Sequence, residues 1–484
     1  MNYRKIVSFL GVIMMIIGVS MLLPIFWSLY YGDADWSVFL LSSLITCLLG
    51  YLAFKTKIED EEFHHREALI VVTFSWVLAA VFGALPYLLS GVLTSFADGF
   101  FETMSGFTTT GASVFQDVEA LPHGILFWRS LTQWLGGMGI VVLLVAILST
   151  IGNSGIQMFW AEAPGAAKDK IRPRISESAK ILWYTYLIMT FIETVLLWLL
   201  GMPLFDALCH TFSSVATGGF STKNASLGFY ENSAIYWVIT IFMFMSGANF
   251  ALYYQVIRGK SPLIFWKDEE FKFYSLIVFF FGACITVDLI LKMGYGSWGV
   301  AVQDAFFHVV SIITTTGYAI TDYAFWTPFA QGILVVLTFI GSCSGSTSGA
   351  IKVGRLMVII KQMMLEFRKV IHPKAIFHLK IDGKAVPADM VMSILQFFFI
   401  YISIAVFGTL FMAFLGLDLV SAFTSVVAAL GNVGPGLEKV GPMANYSFLP
   451  DAGKYLLSFL MMLGRLELYT VIVLLIPAFW RYRN

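Results

Sequence analysis

Long apolar stretches separated by short polar segments dominate this sequence of 484 residues. A helix needs roughly 20 apolar residues to cross the hydrocarbon core of a bilayer. The stretches of this length, each of which we predict to be a membrane-spanning helix, are 6–30, 36–54, 68–90, 125–151, 179–200, 234–257, 273–293, 329–360, 388–415 and 454–480. The pattern therefore predicts an all-α integral membrane protein with ten spans.

Four shorter apolar segments lie between these spans, at residues 94–109, 203–217, 300–315 and 418–432. Apolar segments of this length are often re-entrant rather than spanning. From residue 68 the chain therefore divides into four units, each with a span, a short re-entrant helix, a loop and a second span. Two further spans precede the first unit.

The four units share one register. A polar loop after each short segment carries a glycine, which is Gly111 in TTTGAS, Gly219 in ATGGFS, Gly317 in TTTGYA and Gly434 in GNVGPG. Thirteen residues before that glycine stand Asp98, Asp206, Asp304 and, in the fourth unit, Ser421. Six residues before it, the first three units have Ser105, Ser213 and Ser311. Glycines in the second spans also recur, at Gly137, Gly247, Gly345 and Gly464. These offsets indicate a repeated unit. We therefore divide the chain into residues 1–67, which hold the two leading helices and a cytoplasmic linker, and four pore repeats at 68–160, 161–265, 266–385 and 386–484.

Composition agrees with a membrane location and narrows the function. Hydrophobic residues make up 58% of the chain and charged residues 12%, against about 25% charged in a soluble domain. The formal net charge is zero, which gives no indication of a nucleic-acid partner. The cysteines are far apart and form neither a disulfide framework nor a metal motif. Because no cluster of His, Asp or Glu has catalytic spacing, we expect neither an enzyme nor an organic cofactor.

The basic residues predict the orientation. Of the 30 Lys and Arg, 24 lie in the termini and in the connections 55–67, 160–180, 258–272 and 352–384, and only four lie on the opposite side. Basic loops stay in the cytoplasm. Both termini are therefore predicted to be cytoplasmic, and the short helices to enter the membrane from outside.

The glycine loops would then lie at membrane depth. Non-helical backbone is tolerated there only where it is buried in protein or lines a water-filled cavity. Four such loops around one axis could replace the hydration shell of a cation with carbonyl oxygens, as in potassium channels. The negative dipole end of each short helix would also favour a cation. The pattern thus indicates a cation-conducting pore.

At these residues the chain resembles the Trk/Ktr/HKT superfamily of potassium transporters. The two leading spans, TQWLGGMGI at 132–140 and a polar break in the third unit resemble its bacterial TrkH-type branch. The resemblance implies a multi-pass protein of the bacterial cytoplasmic (inner) membrane, surrounded by lipid, that transports K⁺ through four pseudo-symmetric repeats around a central pore. It also implies a homodimer and a cytosolic, nucleotide-binding TrkA-type ring that regulates the pore.

The same resemblance assigns the K⁺ filter to Thr109, Thr110, Gly111, Thr217, Gly218, Gly219, Thr315, Thr316, Gly317, Asn432, Val433 and Gly434. The fourth loop departs from the threonine pattern at Asn432 and also contains Pro435.

The segment GSCSGSTSGA, residues 341–350, interrupts the second span of the third unit. Small residues can serve close helix packing, but ten in succession exceed that need and three glycines disfavour helix. We predict a non-helical intramembrane loop. The resemblance identifies it as a gate formed by Gly341, Ser342, Cys343, Ser344, Gly345, Ser346, Thr347, Ser348 and Gly349.

Arg465 lies midway along the last predicted span, where a charge costs at least ~2.5 kcal/mol. It either pairs with Glu193, Asp288 or Glu467, or it faces the pore below the filter as part of the gate, as the resemblance implies. In the second case it would repel cations or hold the gate loop. Arg129 is predicted to pair with Glu102 or Glu119 behind the filter. We expect Asp98, Asp206 and Asp304 to be N-caps or first-turn acids, and His210 and His308 to pack.

Two other transport mechanisms can be compared with this pattern. A carrier with inverted repeats disagrees with units that all run in one orientation. A sodium-permeable or ion-coupled (Na⁺ or H⁺) transporter of the same fold remains an alternative.

Overall fold

The computed structural model describes residues 1–56, 65–139, 175–375 and 377–481. Much of the linker 55–67, the second half of the predicted span 125–151, most of the loop 160–180 and the boundary between the first two repeats lie outside these ranges.

Helices make up almost all of the regular structure in the described residues. In chain order they are α1 Tyr3–Ser20, α2 Leu23–Tyr31, α3 Trp36–Phe54, α4 His65–Gly83, α5 Leu85–Leu89, α6 Phe96–Phe107, α7 His123–Gly137, α8 Ile175–Leu199, α9 Leu204–Val215, α10 Ser233–Ser246, α11 Phe250–Ile257, α12 Glu269–Lys292, α13 Trp298–Ile313, α14 Pro328–Phe339, α15 Val353–Ile371, α16 Ala388–Phe414, α17 Leu419–Leu430, α18 Asp451–Arg465, α19 Tyr469–Leu475 and α20 Pro477–Arg481. Short 3₁₀ turns lie at Ser226–Tyr230, Pro262–Ile264, Tyr323–Phe325 and Glu438–Val440. In the described ranges the only strands are β1 Lys380–Ile381 and β2 Lys384–Ala385, which form an antiparallel hairpin.

Six helical segments of the described chain are long and apolar enough to cross a membrane. They are Tyr3–Tyr31, Trp36–Phe54, Arg66–Leu89, Leu182–Leu199, Glu269–Lys292 and Ala388–Phe414. They correspond to the two leading spans and to the first span of each unit. The prediction of an all-α membrane protein is therefore confirmed.

The second helix of each unit is shorter than predicted. Helix α7 ends at Gly137, and α10 and α11 meet at a bend of 94°. The prediction of continuous spans over 234–257 and 454–480 was wrong. The side chain of Asn249 caps a new helix by accepting from the N–H of Ala251, and Glu467 and Leu468 have positive φ (57° and 54°) where α18 ends. In the third unit, residues 340–352 separate α14 from α15, so the predicted non-helical segment at 341–350 is confirmed.

The four short helices are α6, α9, α13 and α17, and all are largely buried. Each packs between the first and the second long helix of its own unit. The second helix of each unit also contacts the short helix of the next: α7 contacts α9, α10 contacts α13, α14 contacts α17, and α18 contacts α6. The last contact returns to the first unit, so the packing closes on itself.

The acidic residues near the short helices are only partly as predicted. Asp98 and Asp206 lie in the first turns of α6 and α9. The expectation for Asp304 was wrong, because α13 begins at Trp298 and Asp304 therefore lies in its second turn. There its carboxylate accepts a hydrogen bond from the Tyr295 hydroxyl at 3.1 Å.

Candidate cation site

We call residues 108–113, 216–221, 314–319 and 431–436 glycine loops 1 to 4; each directly follows a short helix. All four have the same backbone conformation at two positions. The first position is left-handed although its residue is not glycine: Thr109 (φ 54°), Thr217 (55°), Thr315 (59°) and Asn432 (55°). The second is the glycine two residues later: Gly111 (82°), Gly219 (80°), Gly317 (79°) and Gly434 (93°). Since left-handed backbone is uncommon outside glycine, four matching instances show that the loops share one conformation.

One main-chain hydrogen bond also recurs in every glycine loop. The N–H of the residue before the glycine donates to the carbonyl five residues earlier: Thr110 to Ser105 (2.9 Å), Gly218 to Ser213 (2.7 Å), Thr316 to Ser311 (2.8 Å) and Val433 to Ala428 (2.9 Å). The serines found in register in the sequence therefore mark the position where the loop is bonded back to its short helix.

The glycine loops contact one another in cyclic order. A Cβ atom added to the glycine of one loop would collide with a carbonyl oxygen of the next: Gly111 with Gly218 (2.2 Å), Gly219 with Thr316 (1.9 Å), Gly317 with Val433 (2.1 Å) and Gly434 with Thr110 (2.4 Å). No side chain fits at these positions, for steric reasons as well as for the positive φ. The twelve residues assigned from sequence to a filter are thus brought together, three from each loop.

Asn432 replaces threonine in glycine loop 4 without changing the backbone. Asparagine tolerates the left-handed region better than most residues. Its amide nitrogen donates to Thr110 Oγ1 at 3.0 Å and to the Met461 carbonyl at 2.8 Å. The side chain therefore ties loop 4 to loop 1 and to α18.

Several side chains that hold the loops were not singled out by the sequence. Gln133 donates from Nε2 to the Gly218 carbonyl (2.6 Å) and accepts from the Phe220 N–H (3.0 Å). The Tyr446 hydroxyl donates to the Gly434 carbonyl at 2.7 Å. The only sequence signal for Gln133 was its position on α7 among Arg129, Ser130 and Thr132, which form a polar run in a predicted span.

Arg129 and Glu102 form a buried ion pair behind glycine loop 1, as predicted. Arg129 Nε lies 2.8 Å from Glu102 Oε1, and both side chains are almost fully buried. Glu102 accepts from the Val114 N–H (2.9 Å), while Arg129 donates to the Ser221 carbonyl (3.2 Å). The pair therefore connects the chain just after loop 1 to the end of loop 2.

The two histidines at matching positions pack as predicted. His210 and His308 are fully buried, and in each the Nδ1 lies within hydrogen-bonding distance of the carbonyl one turn earlier, that of Asp206 (2.7 Å) or Asp304 (2.8 Å). Within the described ranges, no group of three or more His, Cys, Asp or Glu side chains could hold a metal ion. The carbonyl oxygens that the four glycine loops bring together are the candidate cation ligands.

The intramembrane loop, residues 341–350, lies against the glycine loops. The hydroxyls of Thr217 and Thr347 are 3.2 Å apart, and the Gly349 N–H donates to Thr315 Oγ1 at 2.8 Å. A Cβ on Gly349 would lie 2.5 Å from the Gly431 carbonyl. The loop thus contacts glycine loops 2, 3 and 4 at the left-handed position or next to it.

Internal bonds close the intramembrane loop into a compact turn. Ile340 and Ile351 form a β-bridge at its base, and the Gly341 N–H donates to the Ile351 carbonyl at 2.8 Å. Inside the turn, the hydroxyls of Ser342 and Ser348 are 2.6 Å apart. These bonds explain why the segment is rich in serine, whose hydroxyls replace the hydrogen bonds that a helix would provide.

Arg465 connects the intramembrane loop to the first unit. Its guanidinium donates to the Thr347 carbonyl (2.6 Å) and to the carbonyls of Gly136 (2.7 Å) and Gly137 (3.0 Å). The carboxylates considered as partners have other contacts: Glu467 pairs with Arg355, Asp288 with Lys292, and Glu193 accepts from the Ser214 hydroxyl. Arg465 therefore lies at the loop, in contact with main-chain oxygens.

Apolar spanning helices that surround a ring of buried glycine loops place this chain in the class of membrane transport proteins. The sequence profile of the TrkH family of cation transport proteins matches residues 37–482. The chain belongs to this family, and it is accordingly a transporter rather than an enzyme.

The relatives that this chain matches align with almost all of its length. The Trk system potassium uptake protein TrkH of Salmonella typhimurium is 38% identical over 99% of this chain and 100% of its own length. TrkH of Halomonas elongata is 39% identical, again over 99% and 100%. The crystal structure of the potassium transporter TrkH from Vibrio parahaemolyticus matches with a TM-score of 0.91 and 35% identity, covering 99% of this chain and 100% of that one.

Proposed function

We propose that this protein takes up potassium across the bacterial cytoplasmic membrane, through a selectivity filter formed by the four glycine loops. The cyclic contact of each loop glycine with a carbonyl of the next loop carries the proposal. It favours one oxygen-lined opening at the centre of four pseudo-symmetric repeats. The relatives are named as potassium uptake proteins, and for this reason we propose that the transported ion is K⁺.

The filter selects the ion by replacing the water molecules that surround it with protein oxygens. Carbonyl oxygens at equivalent heights replace the hydration shell of the ion, and glycine lets the four backbones approach closely enough to do so. The short helices all end at this ring, so their negative dipole ends lower the energy of a cation there. The shared main-chain bond to each short helix keeps the carbonyls in place as ions pass.

The intramembrane loop with Arg465 is the gate of this pore. Support comes from its direct contacts with three of the four glycine loops, whose oxygen atoms would line the proposed ion path. The guanidinium adds a positive charge beside that path and fixes the loop at Thr347. A cytosolic TrkA-type ring regulates the loop, and the transporter works as a homodimer. The distribution of Lys and Arg supports cytoplasmic termini.

The test is uptake in a bacterium that lacks its own potassium uptake systems. Expression of this protein should restore growth at low K⁺, and excess Na⁺ should not prevent it. Gly317→Val should abolish the rescue, because its side chain collides with the Val433 carbonyl. Gly332→Val is the matched control, since a Cβ there, on α14, meets nothing within 4 Å.

Normal, K⁺-selective growth with a well-expressed Gly317→Val variant would refute the filter assignment. Growth that depends on Na⁺, or that Na⁺ suppresses, would favour the sodium-permeable or ion-coupled alternative.

A further inference from the structure

Glu270 lies in the first turn of α12, the first spanning helix of the third unit, and it contacts the intramembrane loop at Ser344. The start of α12 is fixed by its own cap, since the Asp268 carboxylate accepts from the Phe271 N–H at 2.8 Å. Glu270 is not needed for that cap. Its side chain is available for another contact.

One carboxylate oxygen of Glu270 accepts two main-chain hydrogen bonds. The Ser344 N–H donates to Oε1 at 2.6 Å, and the Gly354 N–H donates to the same atom at 2.9 Å. Ser344 lies within the intramembrane loop, whereas Gly354 lies in the first turn of α15. Lys352, the residue before α15, makes no side-chain cap bond. Glu270 therefore caps α15 from a neighbouring helix and holds the loop with the same oxygen.

The sequence is adapted to this contact at Gly354. A Cβ at this position would lie 2.7 Å from Glu270 Oε1, so a larger residue would displace the carboxylate. Hydrogen bonds to an ionised acceptor are about twice as strong as neutral ones. The geometry thus provides a strong attachment at the point where the loop continues into α15.

We propose that Glu270 is a positioning residue of the gate, which holds the intramembrane loop in its obstructing position and makes the loop and α15 move together. The proposal rests on the proposed role of the loop as a gate. Arg465 holds the loop at Thr347 and Glu270 holds it at Ser344, so the two charged residues fix it at separate points. Loss of the Glu270 contact releases both the loop and the first turn of α15.

The contact is also where a cytosolic partner can act on the gate. Helix α15 leads away from the loop, and Lys361 on it pairs with Glu269, the residue before Glu270. The Glu269 N–H in turn donates to Asp382 in the turn of the β1–β2 hairpin at 3.0 Å. A displacement of α15 or of the hairpin is therefore transmitted to the start of α12, where Glu270 holds the loop.

Cys343 provides a readout of loop position that does not depend on transport. It is in the loop, next to Ser344, and its side chain is 1% exposed. The full-length protein would be purified, treated with a small thiol reagent, and analysed by mass spectrometry to follow Cys343 alone. In parallel, K⁺ flux would be measured in proteoliposomes without any cytosolic partner. The variants are Glu270→Ala, Glu270→Gln and the control Glu366→Gln, which changes an exposed carboxylate of α15.

Glu270→Ala should raise the rate of Cys343 modification roughly tenfold to a hundredfold, the range expected for loss of a hydrogen bond to a charged group, and should raise basal flux. Glu270→Gln keeps an acceptor oxygen without the charge and should give a smaller increase. Glu366→Gln should match the parent, because its pair with Lys369 is exposed on α15 and contributes little.

The outcomes separate the two proposals. Unchanged Cys343 modification in a folded Glu270→Ala protein would overturn the role of Glu270, and so would a flux increase without increased modification. Increased modification with unchanged flux would keep Glu270 as the residue that positions the loop, but would refute the gate. If Glu270→Ala fails to fold, Glu270→Gln decides by the same measurements.

Discussion

Replacement of Arg465 tests whether the gate works by charge or by attachment. Arg465→Ala removes a unit positive charge and three hydrogen bonds to main-chain oxygens, one of them to Thr347 in the intramembrane loop. We expect this variant to conduct K⁺ faster than the parent and to melt at nearly the same temperature. The free carbonyls of Gly136 and Gly137 can then be reached by water in the opened pore.

Two contributions to the increase can be estimated. A positive charge about 6 Å from a passing cation opposes it by about 2–3 kcal/mol at an effective dielectric constant of about 20. This corresponds to a roughly thirty- to hundredfold change in rate if the charge acts at the limiting step. The bond to Thr347 contributes about 1.5–3 kcal/mol to the closed loop. The two estimates are similar, so the alanine variant alone does not distinguish them.

The variant Arg465→Lys distinguishes the contribution of the charge from that of the attachment to Thr347. Lysine keeps the charge, but its ammonium group does not have the planar fork with which arginine donates in two directions. If attachment dominates, the lysine variant should conduct nearly as fast as Arg465→Ala; if charge dominates, it should stay close to the parent. The assay is K⁺ flux in proteoliposomes together with thermal melting, with the exposed Arg258→Ala as control. A fall in melting temperature without any gain in flux for Arg465→Ala would refute both explanations and leave Arg465 a structural residue.

Three further predictions concern the loop and the supports of the filter. Shortening Ser342–Ser348 should raise basal flux and weaken regulation by the cytosolic ring, because the obstruction is removed; unchanged and still regulated flux in proteoliposomes would show that the loop only packs. Arg129→Met should lower stability by about 3–5 kcal/mol, because it leaves Glu102 buried and uncompensated; in thermal unfolding, Arg129→Met with Glu102→Gln should recover part of the loss, and no recovery would contradict the pair. Gln133→Leu should leave the Gly218 carbonyl and the Phe220 N–H without this partner and lower K⁺/Na⁺ discrimination at roughly constant expression; selectivity equal to the parent in ion competition would count against its role.

The register of the glycine loops could be predicted because it follows from a steric requirement. Each of Gly111, Gly219, Gly317 and Gly434 faces a carbonyl oxygen of the next loop, so no other residue fits. The break at 341–350 could be predicted for a related reason, since a run of glycine and serine cannot sustain a helix at membrane depth. In both cases the residue type indicates the backbone conformation that the position requires.

The breaks in the other second helices could not be predicted from hydropathy. The sequence around Gly247 and Asn249 and that around Glu467 and Leu468 are apolar enough to continue a span, and nothing about Leu468 indicates its positive φ. Hydropathy measures the preference of a segment for lipid and carries no information on where the helix axis changes direction. The bend of 94° after α10 depends on the side-chain cap by Asn249 and on packing against the intramembrane loop, where the Phe250 N–H donates to the Gly345 carbonyl.

A contact of Arg465 with the intramembrane loop was among its predicted roles, but its acceptor atoms could not be predicted, for a different reason. The sequence offers carboxylates as candidates, whereas the acceptors in the described structure are main-chain oxygens of Thr347, Gly136 and Gly137. The last two are available because α7 ends at Gly137. Where a helix ends within the membrane, its final carbonyls become acceptors, and side-chain composition does not reveal this.

The contacts between the intramembrane loop and the filter also bear on whether opening would alter selectivity. When the loop moves, Thr217 and Thr315 lose their bonds to Thr347 and to the Gly349 N–H. A neutral hydrogen bond contributes only about 0.5–1.5 kcal/mol net, and water in the open pore can replace it. The backbone of the proposed filter, by contrast, is held by the main-chain bond to each short helix and by close contacts between neighbouring loops at the glycines. The rigid part of the site is therefore the ring of carbonyls, and the part shared with the gate is the threonine hydroxyls. Opening should accordingly change the rate of transport much more than the choice of ion.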